Sequence, residues 1–315
     1  MKKVAILLFI LLIPGFGISQ SSNNGIGDTI HAIHYTINLE EINASDQTIS
    51  GYTDIMITSL VPLLNYIPLE LLDLITDSVF VDENLQTFSH INDRITINLD
   101  NPITNNDSVL VRVYYHGQPF HEAWGGFHFS GDYAFNLGVG FESIPHNLGK
   151  TWFPCIDNFT DRAEYDVIAT AQTGLTVTAG GLLIDTVNNG NNTTTWHWQI
   201  PHRIPTYLAS VTLGDYVEYK DEYIGIEDTI PISIFTKPSS AGNVAGSFIH
   251  LHEIMDFFES HFGSYPFEKI GYTGTAIGAM EHVSNIAYPH SSINGGTSSE
   301  YLYTHELSHM WFGNK

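Results

Sequence analysis

The segment 301–315 reads YLYTHELSHMWFGNK and contains the pattern H-E-x-x-H. On a helix, His305 and His309 lie one turn apart, so both imidazoles project from the same face. This spacing is typical of two ligands for a single zinc ion. Glu306 lies about 100° around the helix from His305, where its carboxylate can act as a general base on the water that zinc activates. The pattern predicts a one-zinc peptidase site; the competing interpretation is a histidine pair of the surface or core.

The residues before this motif predict a mixed α/β domain, which we place at 221–315. Apolar runs at 231–235 and 270–275 are typical of short strands. Between these runs, apolar residues recur every three or four positions, which predicts one long amphipathic helix that ends at Gly263. The apolar positions of this helix are Val244, Phe248, Leu251, Met255, Phe258 and Phe262.

Residues 28–220 have the pattern of a β domain. Apolar and polar residues alternate at 33–39, as in a strand with one buried face. Similar runs recur along this region and are separated by clusters of Asn, Asp and Gly, such as 188–192, that are typical of turns. Many short strands at this spacing predict an antiparallel β sandwich or saddle. The histidines of this region lack metal-ligand spacing, so we expect them to be strand or turn residues.

The composition predicts a folded chain of two domains. Its 315 residues exceed one small domain, and the hydrophobic fraction of 43% is enough to form full cores. The net charge of −23, from 11 Lys and Arg against 34 Asp and Glu, argues against nucleic acid or an anionic membrane as a partner. The single cysteine, Cys155, allows no internal disulfide, and its neighbours Pro154 and Ile156 predict burial rather than a nucleophilic role.

Residues 1–19 are typical of a secretory signal peptide. Lys2 and Lys3 precede an apolar run at 4–13 that is too short to span a bilayer. Small residues follow, and we expect cleavage near Ser19. We therefore expect a secreted or periplasmic protein that does not insert into the membrane after signal cleavage, since no later segment is both long and apolar enough to span it.

Three stretches of the chain are similar to motifs of one enzyme family. The segment 152–157, WFPCID, is similar to that family's W-F-P-C-x-D segment, and GAMEH at 278–282 is similar to its G-x-M-E-N exopeptidase motif. The segment 305–314, HELSHMWFGN, is similar to its H-E-x-x-H-x-W-F-G-N helix. In their order and spacing, the three stretches together resemble the zinc aminopeptidases of the gluzincin clan, the family of alanyl aminopeptidase and leukotriene hydrolase.

The resemblance implies both a fold and an activity. The fold is an N-terminal antiparallel β saddle or sandwich domain followed by the start of a thermolysin-like catalytic domain. The activity is that of a zinc metallopeptidase that removes N-terminal residues from peptides. Glu281 would pair with the α-ammonium of a free N-terminus through a charge-assisted hydrogen bond, beside Gly278, Ala279 and Met280 as substrate-binding residues. The glycine at 278 suits close approach of a peptide backbone.

The chain departs from the family pattern at two points. His282 stands where the family usually has Asn, so we expect different hydrogen bonding in this loop. The family's third zinc ligand is a Glu roughly eighteen residues beyond the second histidine, and a tyrosine further downstream stabilises the oxyanion. The sequence runs only six residues past His309. We therefore expect an N-terminal fragment of a longer enzyme that is inactive by itself.

Two other functions stay open at this point. A thermolysin-like endopeptidase would use the same zinc site, but its activity would not depend on Glu281. A non-catalytic secreted binding module could retain the β domain without peptidase activity. A glutamate at the expected position downstream would favour the enzyme, and a genuine stop after Lys315 would favour the binding module.

Overall fold

The computed structural model of this protein describes residues 26–315. The signal peptide predicted at 1–19 lies outside these residues and stays a prediction. Sixteen strands occupy the first two thirds of the described chain. They are β1 (Ile30–Asn43), β2 (Thr48–Ser59), β3 (Leu63–Glu70), β4 (Ile75–Val81), β5 (Asn84–Leu85), β6 (Phe88–Ile91), β7 (Arg94–Thr104), β8 (Ser108–Gly117), β9 (His121–Glu122), β10 (Gly125–Ser130), β11 (Tyr133–Leu137), β12 (Ala163–Gln172), β13 (Thr176–Ala179), β14 (Leu182–Asn188), β15 (Thr193–Ile204) and β16 (Val211–Gly214).

These sixteen strands form three sheets. An eight-stranded sheet has the order β14-β15-β12-β1-β2-β8-β4-β5, a five-stranded sheet has the order β13-β16-β11-β10-β9, and a three-stranded sheet has the order β3-β7-β6. The strand pairs in these sheets are antiparallel, except that β1 and β12 run parallel, with His34 opposite Glu164. The predicted β domain is confirmed, and this one parallel pair corrects its description as purely antiparallel.

The remaining elements form an α/β unit. Four strands, β17 (Val217–Ile224), β18 (Thr229–Thr236), β19 (Ile270–Thr275) and β20 (Ile286–Pro289), make one sheet in that order, with the last two pairings parallel. The helices are α1 (Val244–Ser247), α2 (Leu251–Phe262) and α3 (Glu300–Ser308). The change of sheet falls ahead of the predicted division at 220/221, because all of β17 pairs with β18. No helix in residues 26–315 is long and apolar enough to cross a membrane.

The single long helix predicted for this unit is divided into α1 and α2. Phe248, between them, leaves the helical region with φ −113° and ψ 24°. Gly246 and Ser247 precede this break, and both residue types weaken a helix relative to alanine. Gly263 ends α2 as predicted. The apolar spacing nevertheless identified the buried face, since five of its six positions are buried: Val244, Phe248, Leu251, Met255 and Phe258.

The segment 152–157 packs into the core of the β domain. The Phe153 ring lies 5.6 Å from that of Tyr35, which stacks on Tyr165 at 5.1 Å between ring centroids. Cys155 is fully buried, and burial raises the pKa of its thiol well above the usual range. A thiol held neutral in this way is a poor nucleophile, in agreement with the structural role expected for it.

A buried polar network connects the β domain to the α/β unit. The hydroxyls of Thr178, on β13, and Thr273, on β19, lie 2.9 Å apart. The Thr273 hydroxyl donates to the Asn285 side-chain oxygen at 2.6 Å, and the Asn285 amide donates to the Ser210 hydroxyl at 3.1 Å. Because all four residues are buried, these bonds are shielded from competition by water. The network fixes the stretch just before β20 against the β domain.

Candidate active site

The predicted metal motif lies on α3. The Nε2 atoms of His305 and His309 face each other at 3.4 Å on the exposed side of the helix. Glu306, between them in sequence, is only 5% exposed. One ligand atom from each of the three residues lies within 4.8 Å of the others, and residues 26–315 contain no second group of His, Cys, Asp or Glu with such spacing. The structure therefore brings all three predicted residues together.

Aromatic packing holds α3 in place from its buried side. The Tyr303 ring lies 4.8 Å from Phe248, and the Tyr272 hydroxyl donates to the Tyr303 carbonyl at 3.1 Å. Beyond the helix, the Trp311 indole N–H donates to the Gly263 carbonyl at 2.9 Å, which ties the end of the motif to the end of α2. The helix is thus anchored along one face, and the two histidines project from another.

The histidine pair fits a zinc ion. Two nitrogens about 2.0–2.1 Å from zinc at a tetrahedral angle lie about 3.3–3.4 Å apart. The observed separation of 3.4 Å agrees with this value. The other ring nitrogen of His309, Nδ1, faces the Phe312 carbonyl at 3.4 Å. When the Nδ1–H of an imidazole donates to a carbonyl, the ring is held in place and its Nε2 lone pair is available to a metal ion.

Two carboxylates share this site. Burial, and secondarily the negative charge of Glu281, raise the pKa of Glu306 to about 8. Glu281 belongs to a different segment, and the Asn314 side chain joins that segment to the end of the metal motif by donating to the Glu281 carbonyl at 2.8 Å. A divalent cation at the histidine pair would oppose both effects and favour the ionised form of Glu306. The site therefore combines two imidazoles that could bind a metal with a buried carboxylate that a cation would stabilise.

The predicted substrate-binding residues lie in the connection between β19 and β20. Gly278 and Ala279, joined by a cis peptide, are partly exposed, as is Glu281. Met280 is fully buried; its N–H donates to the Ala287 carbonyl at 3.1 Å, and its carbonyl accepts from the Ala287 N–H at 3.0 Å. A Cβ on Gly278 would lie 3.3 Å from that Ala287 oxygen. Met280 therefore anchors this connection, and crowding by the chain itself is one reason for glycine at 278.

His282 bonds to the β domain. Its Nε2 accepts a hydrogen bond from the Gly138 N–H at 3.2 Å and lies 3.5 Å from the Asn136 amide nitrogen. Burial lowers the pKa of His282 to about 3, so the ring is neutral at ordinary pH. Since Nε2 is the acceptor, the proton of the neutral ring lies on Nδ1. We expected the hydrogen bonding at position 282 to differ from that of the family's usual Asn. In this chain, His282 connects the loop to the β domain.

Sequence reasoning did not select three residues that are linked to Glu281 directly, through another residue or by its charge. The Asn314 amide donates to the Glu281 carbonyl at 2.8 Å, and Arg162 donates to the Asn314 carbonyl at 3.0 Å. Burial, and secondarily the Glu281 charge, raise the pKa of Tyr207 to about 12. Asn314 belongs to the motif at 305–314, for which we predicted no separate role of this residue. Arg162 and Tyr207 carry no sequence signal that would have singled them out.

The chain is similar in sequence to several aminopeptidases and in fold to M1 zinc metallopeptidases. The chain is 25% identical over 197 residues to a probable aminopeptidase 2 of Sulfurisphaera tokodaii, covering 58% of this chain and 24% of that protein. It is 27% identical over 179 residues to aminopeptidase M1 of Arabidopsis thaliana, covering 51% of this chain and 20% of that protein. A mutant M1 zinc metallopeptidase of Deinococcus radiodurans, bound to a Tyr-Ser-Ala substrate, superposes with a TM-score of 0.80 at 19% identity, covering 91% of this chain and 65% of that one.

These likenesses cover only part of the longer proteins. The aligned region spans about a quarter or less of the two curated relatives. No protein-family model matches the chain. The structural likeness extends over almost all of the described residues and includes both the β domain and the α/β unit. The resemblance to the gluzincin zinc aminopeptidases is thereby confirmed, and the chain has the fold of the amino-terminal part of an M1 zinc metallopeptidase.

Proposed function

We propose that this chain carries the metal-binding and amine-recognition residues of a zinc aminopeptidase, a hydrolase that removes N-terminal residues from peptides. The observation that carries the proposal is the grouping of His305, Glu306 and His309, with the Glu281 segment bonded to the end of the same motif. The Nε2 atoms of His305 and His309 face each other at 3.4 Å, and Asn314 donates to the carbonyls of both His309 and Glu281. Such a group combines metal ligation, a general base and an anionic partner for an amine.

A single zinc ion would be held by His305 and His309. When bound, zinc would act as a Lewis acid on the peptide carbonyl. Two imidazoles do not complete the usual set of three protein ligands of a catalytic zinc. We propose that a carboxylate outside residues 26–315 supplies the third ligand. In support, the described residues place no fourth His, Cys, Asp or Glu ligand atom within 4.8 Å of all three members of this group.

Glu306 would serve as the general base. Its place between the two ligands in sequence keeps its carboxylate within the same small group of atoms. Its burial limits hydration and makes it a stronger base than an exposed carboxylate. The carboxylate would accept a proton from the attacking water and return it to the leaving amine. Glu306 alone would thus carry out both proton transfers of peptide hydrolysis.

Glu281 would recognise the substrate's free N-terminus. A partly exposed carboxylate beside the metal pair can accept a charge-assisted hydrogen bond from an α-ammonium group. An acetylated N-terminus has no positive charge and would lose this bond. The preference for a free N-terminus would therefore come from Glu281, and the preference for the first peptide bond from its distance to the metal.

The test uses the zinc-loaded protein expressed from the complete gene. It compares the cleavage of matched peptides with free and acetylated N-termini. We expect residues to be released one at a time from the free peptide only, and we expect a chelator to abolish the reaction until zinc is restored. Internal cleavage of acetylated peptides at comparable rates would indicate the thermolysin-like endopeptidase instead. Absence of any cleavage by protein that binds zinc would favour the non-catalytic binding module.

We also propose that the protein acts outside the cytoplasm. Support comes from the sequence of residues 1–19, with its positive start and short apolar run. Intact-mass analysis of the mature protein should show a start near Gln20. Retention of Met1 in the exported protein would contradict the proposal.

A further inference from the structure

A bridge of hydrogen bonds joins the β domain, the end of the metal motif and the Glu281 segment. Arg162 lies one residue before β12, and its Nη1 donates to the Asn314 carbonyl at 3.0 Å while its Nη2 donates to the Gly313 carbonyl at 3.3 Å. The Asn314 side-chain Nδ2 then donates to the Glu281 carbonyl at 2.8 Å. We call these four residues, Arg162, Gly313, Asn314 and Glu281, the Asn314 bridge.

The bridge is also fixed to the second histidine. The backbone N–H of Asn314 donates to the His309 carbonyl at 3.1 Å. Gly313 allows this turn, because its φ of +127° lies in a region that side chains disfavour. Asn314 is 1% exposed, so water does not replace its amide at the Glu281 carbonyl. The Asn314 side chain therefore sets the position of the Glu281 backbone with respect to His309.

Arginine suits its place in the bridge. Its planar fork presents two donors to two successive carbonyls, an arrangement that the single ammonium group of lysine does not reproduce with the same geometry. A hydrogen bond from a charged donor to a carbonyl is stronger than one between neutral groups. Arg162 thus holds the end of the metal motif against the β domain, and Asn314 transmits that position to Glu281.

We infer that Asn314, held by Arg162, is a positioning residue that fixes Glu281 at the distance from the metal pair required for recognition of a peptide's α-ammonium. This inference rests on the proposed role of Glu281. Asn314 acts only through the Glu281 backbone. Catalytic groups and their partners need placement to a fraction of an ångström, and a shift of about 1 Å can cost roughly 100-fold in rate.

The test is Asn314→Ala in the zinc-loaded gene product, with Asn243→Ala as the matched control. The Asn243 amide also donates to a backbone carbonyl, that of Ile293 at 3.2 Å, within the same α/β unit. We expect Asn314→Ala to weaken binding and raise the KM of free-amine peptides roughly 3- to 30-fold, since one buried hydrogen bond is lost. Zinc affinity and binding of the N-acetylated peptides should stay unchanged. Asn243→Ala should leave the ratio of free-amine to acetylated affinity at the parent value.

A role limited to fold stability would lower Tm and weaken both peptide classes equally. An unchanged ratio of free-amine to acetylated affinity in Asn314→Ala would therefore overturn the inference. Arg162→Lys provides a second variant, in case Asn314→Ala does not fold; we expect a smaller loss in the same direction, and an unchanged ratio there would also overturn it. If the parent itself shows no preference for free amines, the proposed function fails. If the parent shows this preference and both variants keep it undiminished, the inference fails while the proposed function stands.

Discussion

The metal helix α3 and the connection at 278–285 carry the two halves of the candidate site, but they are built in opposite ways. On α3, three of nine residues are buried, and the His305–His309 spacing follows from helical geometry alone. In the connection, every residue from 280 to 285 except Glu281 is buried. Its contacts come from distant parts of the chain, such as Gly138, which is 144 residues from His282.

This difference shows where each half is vulnerable. The metal pair depends on a local helix, so changes in the β domain should leave zinc affinity largely intact. The position of Glu281 depends on long-range hydrogen bonds, including the Leu208 carbonyl that accepts from the Val283 N–H at 3.3 Å. Changes in the β domain should therefore act on amine recognition first.

The largest effect should come from α3. Glu306→Gln keeps the shape of the side chain but removes the proton acceptor. General acid–base catalysis contributes about 10²–10⁴-fold, so kcat should fall at least about 100-fold. Zinc content, measured by atomic absorption, should stay at the parent level because both histidines remain. Near-normal turnover by a zinc-loaded variant would remove Glu306 from the mechanism.

The next effect should come from the connection and should be selective. Glu281→Ala removes a charge-assisted hydrogen bond worth roughly 1.5–3 kcal/mol, so kcat/KM for free-amine peptides should fall about 10- to 150-fold. Acetylated peptides, already poor substrates, should barely change. Glu253→Ala, at an exposed position of α2, is the control for loss of an acidic side chain. Equal losses for both peptide classes would show that Glu281 does not recognise the amine.

A smaller effect should appear in stability as a function of pH. His282 has its pKa lowered to about 3 by burial, whereas an unfolded histidine titrates near 6.5. Between pH 6.5 and pH 3, the unfolded state therefore binds a proton that the folded state does not bind. The free energy of unfolding decreases as the pH falls through this range. His282→Asn removes this contribution, which amounts to about 2 kcal/mol between pH 7 and pH 5.

Urea denaturation at pH 7 and pH 5 measures this contribution. The parent should lose about 2 kcal/mol more than His282→Asn between the two pH values. His282 contacts the β domain through Gly138 and Asn136. The metal affinity of the variant, which has the family's usual residue at this position, should therefore match that of the parent. Equal losses of unfolding free energy in the two proteins would mean that His282 is protonated in the folded state at pH 5. A protonated Nε2 cannot accept from the Gly138 N–H, so the proposed hydrogen bond would be wrong.

The smallest effect should come from the end of the metal motif. Gly313→Ala places a side chain at φ +127°, although no neighbouring atom crowds it closer than His309 Nδ1 at 3.9 Å. Strain alone should cost about 1 kcal/mol of unfolding free energy. Thermal unfolding measures this cost, and Gly242→Ala, with no atom nearby and no positive φ, is the control. A variant as stable as the parent would show that the turn does not require glycine.

Much of the fold was predictable because its signals are local. The run at 270–275 coincides with β19, and the run at 231–235 lies within β18 (Thr229–Thr236). Alternation at 33–39 correctly predicted part of β1. The parallel pairing of β1 with β12 was not predicted, because alternation defines a buried face but does not name the partner strand. The break between α1 and α2 was missed because the apolar spacing continues across it.

The candidate metal site could be predicted from the sequence. The spacing of His305, Glu306 and His309 follows from the period of one helix, and three motifs indicated the family and the residue expected to bind the amine. The contacts that hold that residue could be seen only in the folded protein. His282 meets Gly138, and Asn314 meets Glu281 with Arg162 behind it. A helix forms its backbone hydrogen bonds within itself, so its geometry follows from the local sequence. An irregular connection forms hydrogen bonds with distant segments of the same chain, and the local sequence does not show which segments these are.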